Sequence, residues 1–301
     1  MFALTAAVAI GGCGTQPLAP AVPPGAAPAP QLRSSGKGAG AFVYTCQNEG
    51  TADCLVYSGH RVLRTITKDV TKPVGIAAGK DGLFYVADES ALKIWIFSSG
   101  GRKLVGKLSD GKNVPDDVAV YNDEAAVSNQ KTLTFFSKGA TKPTRTLKDS
   151  SAQQGRGAAF DSQGNCYWSF ENKSSATQVD EFKGCSGSPK NLKISGGSPY
   201  GIALDATGNL YFTAYNTAGR GVYRCKGFAS CKLVWSSFVD PQYVNFSKGF
   251  SDLWVSDPAN YQSTAALYEI DLSTGKVIDT ISYGFSSLNP PIGVAAGPGP
   301  L

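Results

Sequence analysis

The chain has 301 residues, 42% of them hydrophobic, and can bury the core of one large all-β domain or two smaller ones. Its 35 glycines and 17 prolines indicate many turns, while its apolar and aromatic content excludes a disordered chain. A net charge of +5 without a Lys/Arg block argues against nucleic-acid binding, because neutralising phosphates requires clustered cations.

The N-terminus carries a short apolar run, MFALTAAVAI, followed by Gly11, Gly12 and Cys13. The run is too short to span a bilayer as a helix, and small residues after it are typical of a signal-peptide cleavage point. Residues 10–13 (IGGC) resemble the bacterial lipobox, whose cysteine becomes the lipidated first residue of the mature protein. The resemblance implies a signal peptide over 1–13 and lipidation at Cys13. The alternative is an ordinary apolar N-terminus with a buried cysteine.

A spacer follows at residues 14–40. Residues 16–31 (QPLAPAVPPGAAPAPQ) are rich in Pro and Ala, and residues 34–40 (SSGKGAG) are rich in Gly and Ser. Such a sequence cannot bury a core and favours an extended, semi-rigid tether. The order of anchor, spacer and globular body predicts a domain at 41–301 held off a membrane surface.

Seven cysteines become six once Cys13 is assigned to lipid, and the six fall into close pairs. The pairs Cys46–Cys54, Cys166–Cys185 and Cys225–Cys231 each straddle a predicted hairpin, which places their partners on adjacent strands. A zinc site is disfavoured, because there is no CxxC motif and only one histidine. Structural disulfides are therefore predicted, and they indicate an oxidising compartment.

The globular part repeats a unit of two strands joined by a Gly/Asp/Asn turn. Its clearest copies are residues 73–88 (PVGIAAGKDGLFYVAD) and 199–216 (PYGIALDATGNLYFTAYN); weaker copies start at residues 115, 156 and 243. Starts lie about 41 to 45 residues apart, the period of four-stranded propeller blades. Strands are predicted at 75–78, 83–87, 92–98 and 103–108, with Ile94 and Ile96 on one face and Trp95 and Phe97 on the other.

A sixth unit is divided between the two ends of the domain. Residues 292–296 (IGVAA) repeat the innermost strand, whereas residues 42–46, 54–58 and 61–67 supply a second, third and fourth strand. The fold class predicted is all-β: a six-bladed β-propeller of four-stranded antiparallel blades, closed by pairing of the C-terminal strand with the N-terminal blade. Closure removes the exposed strand edges of an open array.

Residues 86–101 (VADESALKIWIFSSGG), preceded by PVGIAAGKDGLFY, resemble an NHL repeat. At blade level the resemblance extends over 41–301, and it implies an NHL-like or SMP-30/gluconolactonase-like propeller. Those propellers include lactonases, lyases and non-catalytic binding proteins, so the fold alone does not define an activity.

In a propeller, the loops that enter each innermost strand and those that leave each second strand meet at one mouth of the central channel. The repeat places polar residues there, and these form the predicted ligand-binding set: Asp88, Asp116, Asn129, Arg156, Glu171, Tyr200, Tyr215, Tyr243 and Asp257. Gln47 and Asn48 lie near the equivalent point of the composite unit.

Within this set, Asp88, Asn129, Glu171 and Asp257 are the candidate ligands of a divalent cation, Ca²⁺ or Mg²⁺. In an SMP-30-like site such a cation polarises a lactone carbonyl or activates water. Turn capping explains the same residue types at the same spacing, and is the favoured interpretation of each position.

Classical catalytic chemistry finds little support in this sequence. His60, the single histidine, falls in a predicted peripheral turn, and no G-x-S-x-G motif is present. Trp95, Trp168, Trp235 and Trp254 occupy strand positions, where packing between blades is expected.

The function predicted is therefore a non-catalytic binding platform on the cell envelope, anchored to the membrane by lipid alone and monomeric. Its partner would be an envelope protein, a peptide or a glycan. The alternative is an SMP-30-like metal-dependent hydrolase of lactones or esters. A further hypothesis is a stiff spacer or adhesive surface without a discrete pocket.

Overall fold

The computed structural model describes residues 42–48, 50–214, 219–228, 230–259 and 264–299. The predicted signal peptide and spacer, with Cys13, lie outside these residues, and so does Tyr215. The described residues form six four-stranded antiparallel sheets, with three short 3₁₀ turns. This architecture confirms the predicted all-β propeller of six blades.

Blade 1 contains strands from both ends of the domain, and blades 2 to 6 follow in chain order. The strands of blades 1 and 2 are β1 (Phe42–Gln47), β2 (Asp53–Ser58), β3 (Arg61–Ile66), β4 (Pro73–Ala78), β5 (Phe84–Asp88), β6 (Lys93–Phe97) and β7 (Leu104–Leu108). Those of blades 3 and 4 are β8 (Pro115–Tyr121), β9 (Glu124–Asn129), β10 (Leu133–Phe136), β11 (Arg145–Leu147), β12 (Ala152–Phe160), β13 (Cys166–Asn172), β14 (Thr177–Phe182) and β15 (Lys190–Asn191).

The remaining strands complete blades 5, 6 and 1. They are β16 (Ile202–Leu204), β17 (Leu210–Ala214), β18 (Gly221–Lys226), β19 (Ser230–Trp235), β20 (Val244–Phe246), β21 (Asp252–Asp257), β22 (Ala266–Asp271), β23 (Lys276–Ile281) and β24 (Val294–Gly297). The innermost strands of blades 1 to 6 are β24, β4, β8, β12, β16 and β20.

Strand β6 shows why both faces of a blade are apolar. Trp95 and Phe97 pack into a cluster shared with blade 1, whereas Ile94 and Ile96 pack into a cluster shared with blade 3. The period of two along a strand sends alternate side chains to opposite faces, so each blade is sandwiched between two neighbours. The alternation predicted for this strand is confirmed.

The ring closes through the chain ends, as predicted. Strand β24 pairs antiparallel with β1, with Phe42 opposite Gly297 and Thr45 opposite Val294. The Thr45 hydroxyl also donates to the Gly293 carbonyl at 2.6 Å. Blade 1 therefore joins residues that lie about 250 positions apart in the chain.

All three predicted disulfides are present. Cys46 faces Cys54 across β1 and β2, and Cys225 faces Cys231 across β18 and β19. The third bond differs from the expected cross-strand geometry. Cys166 lies opposite Phe182, and its partner Cys185 lies in the 3₁₀ turn after β14. This bond therefore fastens a turn to a strand.

Among the described residues, none of the helices is long and apolar enough to cross a membrane.

Candidate functional site at the channel mouth

One end of the ring, here called the mouth face, carries the turns between second and third strands and the crossovers between blades. Within a blade, the innermost strand runs antiparallel to the second strand. The start of the innermost strand therefore lies beside the end of the second strand. Pro73 accordingly pairs with Asp88, and Pro115 pairs with Asn129. The predicted site residues within the described ranges lie at this end of the ring.

Asp88 is buried and holds the segment that enters blade 2. Its carboxylate accepts hydrogen bonds from the backbone N–H groups of Thr71 (2.7 Å), Lys72 (3.0 Å) and Ala91 (3.0 Å). It also accepts from the Thr71 hydroxyl at 2.8 Å and from Trp95 Nε1 at 3.1 Å. Both oxygens are therefore engaged by the protein, and Asp88 acts as a loop anchor.

Asp257 performs the same task in blade 6. It accepts from the backbone N–H groups of Val239, Asp240 and Ala259, each at 2.8 Å. Asn129 differs, since its Nδ2 donates to the Thr134 hydroxyl at 2.8 Å while its buried Oδ1 has no hydrogen-bond partner in the described chain. These three residues stabilise turns of their own blades.

The second residue of each inner-strand repeat forms a ring around the channel mouth. This position reads, in blades 1 to 6, Ile292, Val74, Asp116, Arg156, Tyr200 and Gln242. These six residues are apolar in blades 1 and 2 and polar in the other four blades. The mouth is therefore asymmetric, which suits recognition of one ligand in one orientation.

A hydrogen bond crosses the channel from blade 6 to blade 3. The Tyr243 hydroxyl lies 2.8 Å from Asp116 Oδ1 and 3.1 Å from the Asp116 carbonyl oxygen. Blades 4 and 5 separate these partners on one side of the ring, and blades 1 and 2 separate them on the other. The bond therefore spans the channel diameter. Tyr243 and Asp116 thereby close the channel beneath the mouth face.

Arg156 joins this bridge to the neighbouring blades. Its guanidinium lies 4.9 Å from the centre of the Tyr200 ring, 3.2 Å from Glu171 Oε2 and 4.0 Å from Asp116 Oδ2. Tyr200 packs edge-on against Tyr243 with ring centres 5.4 Å apart. Asp116, Arg156, Glu171, Tyr200 and Tyr243 thus form one connected unit, the mouth cluster.

Glu171 belongs to this cluster because of its register. In blade 4, Gly155 takes the place of Pro73 and lies opposite Phe170, so the position equivalent to Asp88 is Phe170. Glu171 is one residue later, and alternation along the strand turns its side chain to the other face. The predicted equivalence of Glu171 with Asp88 is therefore wrong by one position.

Burial controls the electrostatics of the mouth cluster. Burial raises the pKa of Asp116 to about 7, although nearby Arg156 and the Tyr243 hydrogen bond oppose the increase. Burial, followed by the charge of Asp116, raises the pKa of Tyr243 well above its usual value. The tyrosine therefore remains a hydrogen-bond donor at physiological pH.

Beneath the bridge, the channel contains a cavity of about 60 Å³. Its wall consists of inner-strand residues, among them Ile76, Val118, Ala158, Ile202, Val244 and Val294. Pockets that bury small organic ligands usually measure about 300–1,000 Å³. The channel interior has room for a few waters.

Asp117 is a mouth residue that the sequence pattern did not predict. The third inner-strand position is glycine in four blades, but Asp117 in blade 3 and Tyr243 in blade 6. Asp117 Oδ2 accepts a hydrogen bond from the Ala158 N–H of blade 4 at 3.0 Å. The sequence does show this difference: the third inner-strand position, glycine in the other repeats, carries another residue in two repeats that lie three units apart.

A series of hydroxyl contacts between blades was also missed. Ser169 donates to the Tyr200 carbonyl at 2.5 Å, Ser256 donates to the Ile292 carbonyl at 2.5 Å, and Thr213 donates to the Gln242 carbonyl. Each bond joins the second strand of one blade to the ring-lining residue of the next. The Ser or Thr that recurs near the end of these second strands was the available signal.

Within the described ranges, no three His, Cys, Asp or Glu side chains converge as a metal ion would require. The predicted cation ligands Asp88 and Asp257 are loop anchors, and Glu171 contacts Arg156. His60 lies in the turn between β2 and β3, 2.7 Å from Asp279 Oδ1.

Comparison with known proteins identifies the fold. No family model and no curated protein matches the sequence. The structure is similar to a chain in a crystal structure of a nidogen/laminin complex, with a TM-score of 0.66 and 18% identity, covering 85% of this chain and 98% of that one. Since 1059 solved chains match, the architecture is common and does not itself define an activity.

Proposed function

We propose that the chain is an extracytoplasmic, lipid-anchored binding platform whose mouth face binds an envelope protein, a peptide or a glycan. The observation that carries this proposal is the bond between Tyr243 and Asp116, which closes the channel and fixes the mouth cluster from both sides. A surface held in place before binding loses little conformational entropy when a ligand arrives.

The size of the channel supports a large ligand. A cavity of about 60 Å³ is several times smaller than the usual pocket for a small molecule. The similar chain noted above comes from a complex of nidogen with laminin, and it supports the idea that this fold is suited to binding another protein.

The composition of the mouth cluster also favours recognition. Tyrosine and arginine are enriched among the residues that dominate binding energies, because they combine large contact area with directional polar groups. Arg156 and Tyr200 are stacked and therefore already ordered. Glu171, whose side chain is 26% exposed, offers a carboxylate at the edge of the cluster.

Export and anchoring rest on other features. Three disulfides are consistent with folding outside the cytoplasm. The residues around Cys13 support lipidation, which we propose as the membrane anchor. Metabolic labelling with a radioactive fatty acid tests it: label is expected in the wild type and not in Cys13→Ser, and equal label in both would contradict the anchor.

A matched pair of variants tests the binding surface. Glu171 and Glu124 match in pairing and exposure, since each pairs with an arginine, at 3.2 and 3.0 Å, and their side chains are 26% and 25% exposed. They lie at opposite ends of the ring, because Glu171 is near the end of β13 and Glu124 begins β9.

Glu171→Lys is expected to weaken binding of envelope proteins or glycans by tenfold or more, roughly 1.4 kcal/mol. Glu124→Lys should change it less than about twofold, as for a charge outside an interface. Binding is measured on purified proteins against fractionated envelope proteins and arrayed glycans, with thermal unfolding to verify equal folding. Weakened binding by Glu124→Lys alone would refute the assignment of the mouth face.

A further inference from the structure

The outer edges of blades 1 and 2 concentrate the positive charge of the protein. Residues 61–68 contain β3, residues 99–108 contain β7 with the turn before it, and neither segment has an Asp or Glu. Six cationic side chains of these segments are exposed, and none is paired with a carboxylate among the described residues: Arg61, Arg64, Lys68, Arg102, Lys103 and Lys107. Since the net charge is +5, the rest of the chain is close to neutral.

The two segments lie side by side, although they are far apart in the chain. Arg64 Nε donates to the Gly100 carbonyl at 3.2 Å, across 36 positions, and Gly100 lies in the 3₁₀ turn before β7. A Cβ atom added to Gly101 would lie 2.7 Å from Ile66 Cδ1, so the end of β3 also packs on this turn. The six cations therefore belong to one surface, here called the basic rim, which no Lys/Arg block in the sequence indicates.

A β-bulge in each outer strand leaves an apolar residue of the basic rim in solvent. The register of β3 on β2 skips Leu63, and that of β7 on β6 skips Val105. Leu63 and Val105 are 48% and 52% exposed, and Leu104 is 41% exposed. Bulges twist an edge strand and discourage another strand from pairing with it. Strand addition is therefore disfavoured, whereas exposed apolar residues among polar ones are typical of contact with a membrane or a partner.

The chain enters the described fold beside the basic rim. Strand β1 begins at Phe42, and residues 1–41 lie outside the described residues. The Gly100 N–H donates to the Tyr44 hydroxyl at 3.0 Å, and a Cβ atom on Gly100 would lie 3.2 Å from the Phe42 ring. A lipid at Cys13 would thus be connected to the propeller on the side of the basic rim. This step alone rests on the proposed function.

We propose that the basic rim binds a membrane surface containing anionic phospholipids, with its cations against the lipid phosphates and Leu63, Leu104 and Val105 inserted among the lipids. Each Lys or Arg close to such a surface strengthens binding about fivefold. A soluble polyanion would engage the cations but leave the three apolar side chains in water, so a membrane accounts for both features. The basic rim is on the outer edge of the ring, separate from the mouth cluster.

Sedimentation with vesicles tests this contact. The full chain carrying Cys13→Ser, which cannot be lipidated, is mixed with vesicles of phosphatidylcholine alone or with added phosphatidylglycerol. Binding is expected to be roughly tenfold or more stronger with phosphatidylglycerol and to weaken as salt is added. Lys103→Glu combined with Lys107→Glu should remove at least roughly tenfold of that binding.

Blade 5, opposite blade 2 in the ring, offers the matched control. Lys226 and Lys232 are exposed on β18 and β19, and their change to Glu alters the net charge equally. The control strand also carries exposed apolar residues, Leu233 at 41% and Val234 at 39%. Lys226→Glu combined with Lys232→Glu should change vesicle binding less than about twofold, as for charges outside a contact.

A second pair of variants tests insertion of the apolar residues. Val105→Ser should weaken binding to vesicles with phosphatidylglycerol by about fivefold, because less apolar surface leaves water. Val234, which the register of β19 on β18 also skips, is the control, and Val234→Ser should bind as the wild type does. Thermal unfolding verifies that all variants fold equally.

Three results would overturn the proposal: equal binding to both kinds of vesicle, equal weakening by the two lysine pairs, or no effect of Val105→Ser. Retention on immobilised heparin without binding to vesicles would also overturn it and indicate an acidic polymer as the partner. Fatty-acid labelling at Cys13 is measured separately, so failure of the basic rim to bind vesicles leaves the proposed anchor standing.

Discussion

Asp88 and Asp116 are both buried aspartates near the channel mouth, but their surroundings give them different properties. The Asp88 carboxylate accepts hydrogen bonds from three backbone N–H groups. The Asp116 carboxylate accepts a hydrogen bond from one hydroxyl and lies 4.0 Å from Arg156. Both lower its pKa, but the increase caused by burial outweighs them. The two carboxylates therefore differ in the number of hydrogen-bond donors that face them.

This difference predicts how stability depends on pH. The pKa of Asp116 rises from 3.8 in the unfolded chain to about 7 in the folded one, so between these values the native state binds the extra proton. The wild type should therefore lose stability relative to Asp116→Asn as pH rises from about 4 to about 8. Urea denaturation of both proteins across this range measures the difference.

Asp271→Asn provides the contrast. Hydrogen bonds from Ser273 and Thr274 lower the pKa of partly exposed Asp271, so its contribution to stability is present above pH 3.8 and lost only as the pH falls further. Its difference from the wild type should be constant from about pH 5 to about pH 8. If Asp116→Asn shows the same flat profile, the assignment of Asp116 as the titrating group is wrong.

At the scale of a residue, the sequence was informative where the partners are local. Asp88 contacts residues no more than 17 positions away, and turn anchoring was the favoured interpretation of its pattern. Tyr243 and Asp116 are 127 positions apart, and no local pattern indicates that their side chains meet.

At the scale of an element, the inner strands are shaped by the close approach of successive blades. A Cβ atom added to Gly201 would lie 2.6 Å from the Gln242 carbonyl oxygen and 2.7 Å from Tyr243 Cα. Both are backbone atoms of the next blade and cannot move independently. The glycine that recurs at the third inner-strand position therefore reflects close contact between successive blades.

Gly201→Ala should destabilise the protein by about 2 to 3 kcal/mol, the usual cost of forcing extra volume into a packed interior. It should also disturb binding at the mouth, because it displaces Tyr243. Gly106→Ala is the matched control, since the nearest atom to its new Cβ would be Ile96 Cδ1 at 3.5 Å. We expect that control to change stability by less than about 0.5 kcal/mol. Equal unfolding midpoints for the two variants would contradict this packing argument.

Strand positions followed closely from the sequence, because alternating apolar residues and glycine turns mark them locally. The predicted third strand at 92–98 is β6, Lys93–Phe97, and the predicted second strand at 83–87 is β5, Phe84–Asp88. Register was harder to predict. Inner strands β4, β8 and β12 each shift register against their partners, and these irregularities depend on packing that the repeat does not encode.

For the whole molecule, ring closure determines which blades face each other across the channel. Pairing of β24 with β1 makes all six inner strands neighbours around a channel, which brings blade 6 opposite blade 3. The Tyr243–Asp116 bridge requires that arrangement, since its partners belong to opposite blades. Closure of the ring of blades was predictable, because the two incomplete units at the chain ends complement each other. The residues that close the channel were not predictable.

In the proposed function, the mouth face, and not the opposite end of the ring, contacts the ligand. Tyr200 and Tyr121 provide a matched pair, since both are partly exposed tyrosines and Tyr121 ends β8 at the far face. A photoreactive phenylalanine analogue placed at each position in turn, irradiated in intact cells, tests the claim directly. Cross-linked product from position 200 and none from position 121 is the predicted result. Product from position 121 with none from position 200 would contradict it.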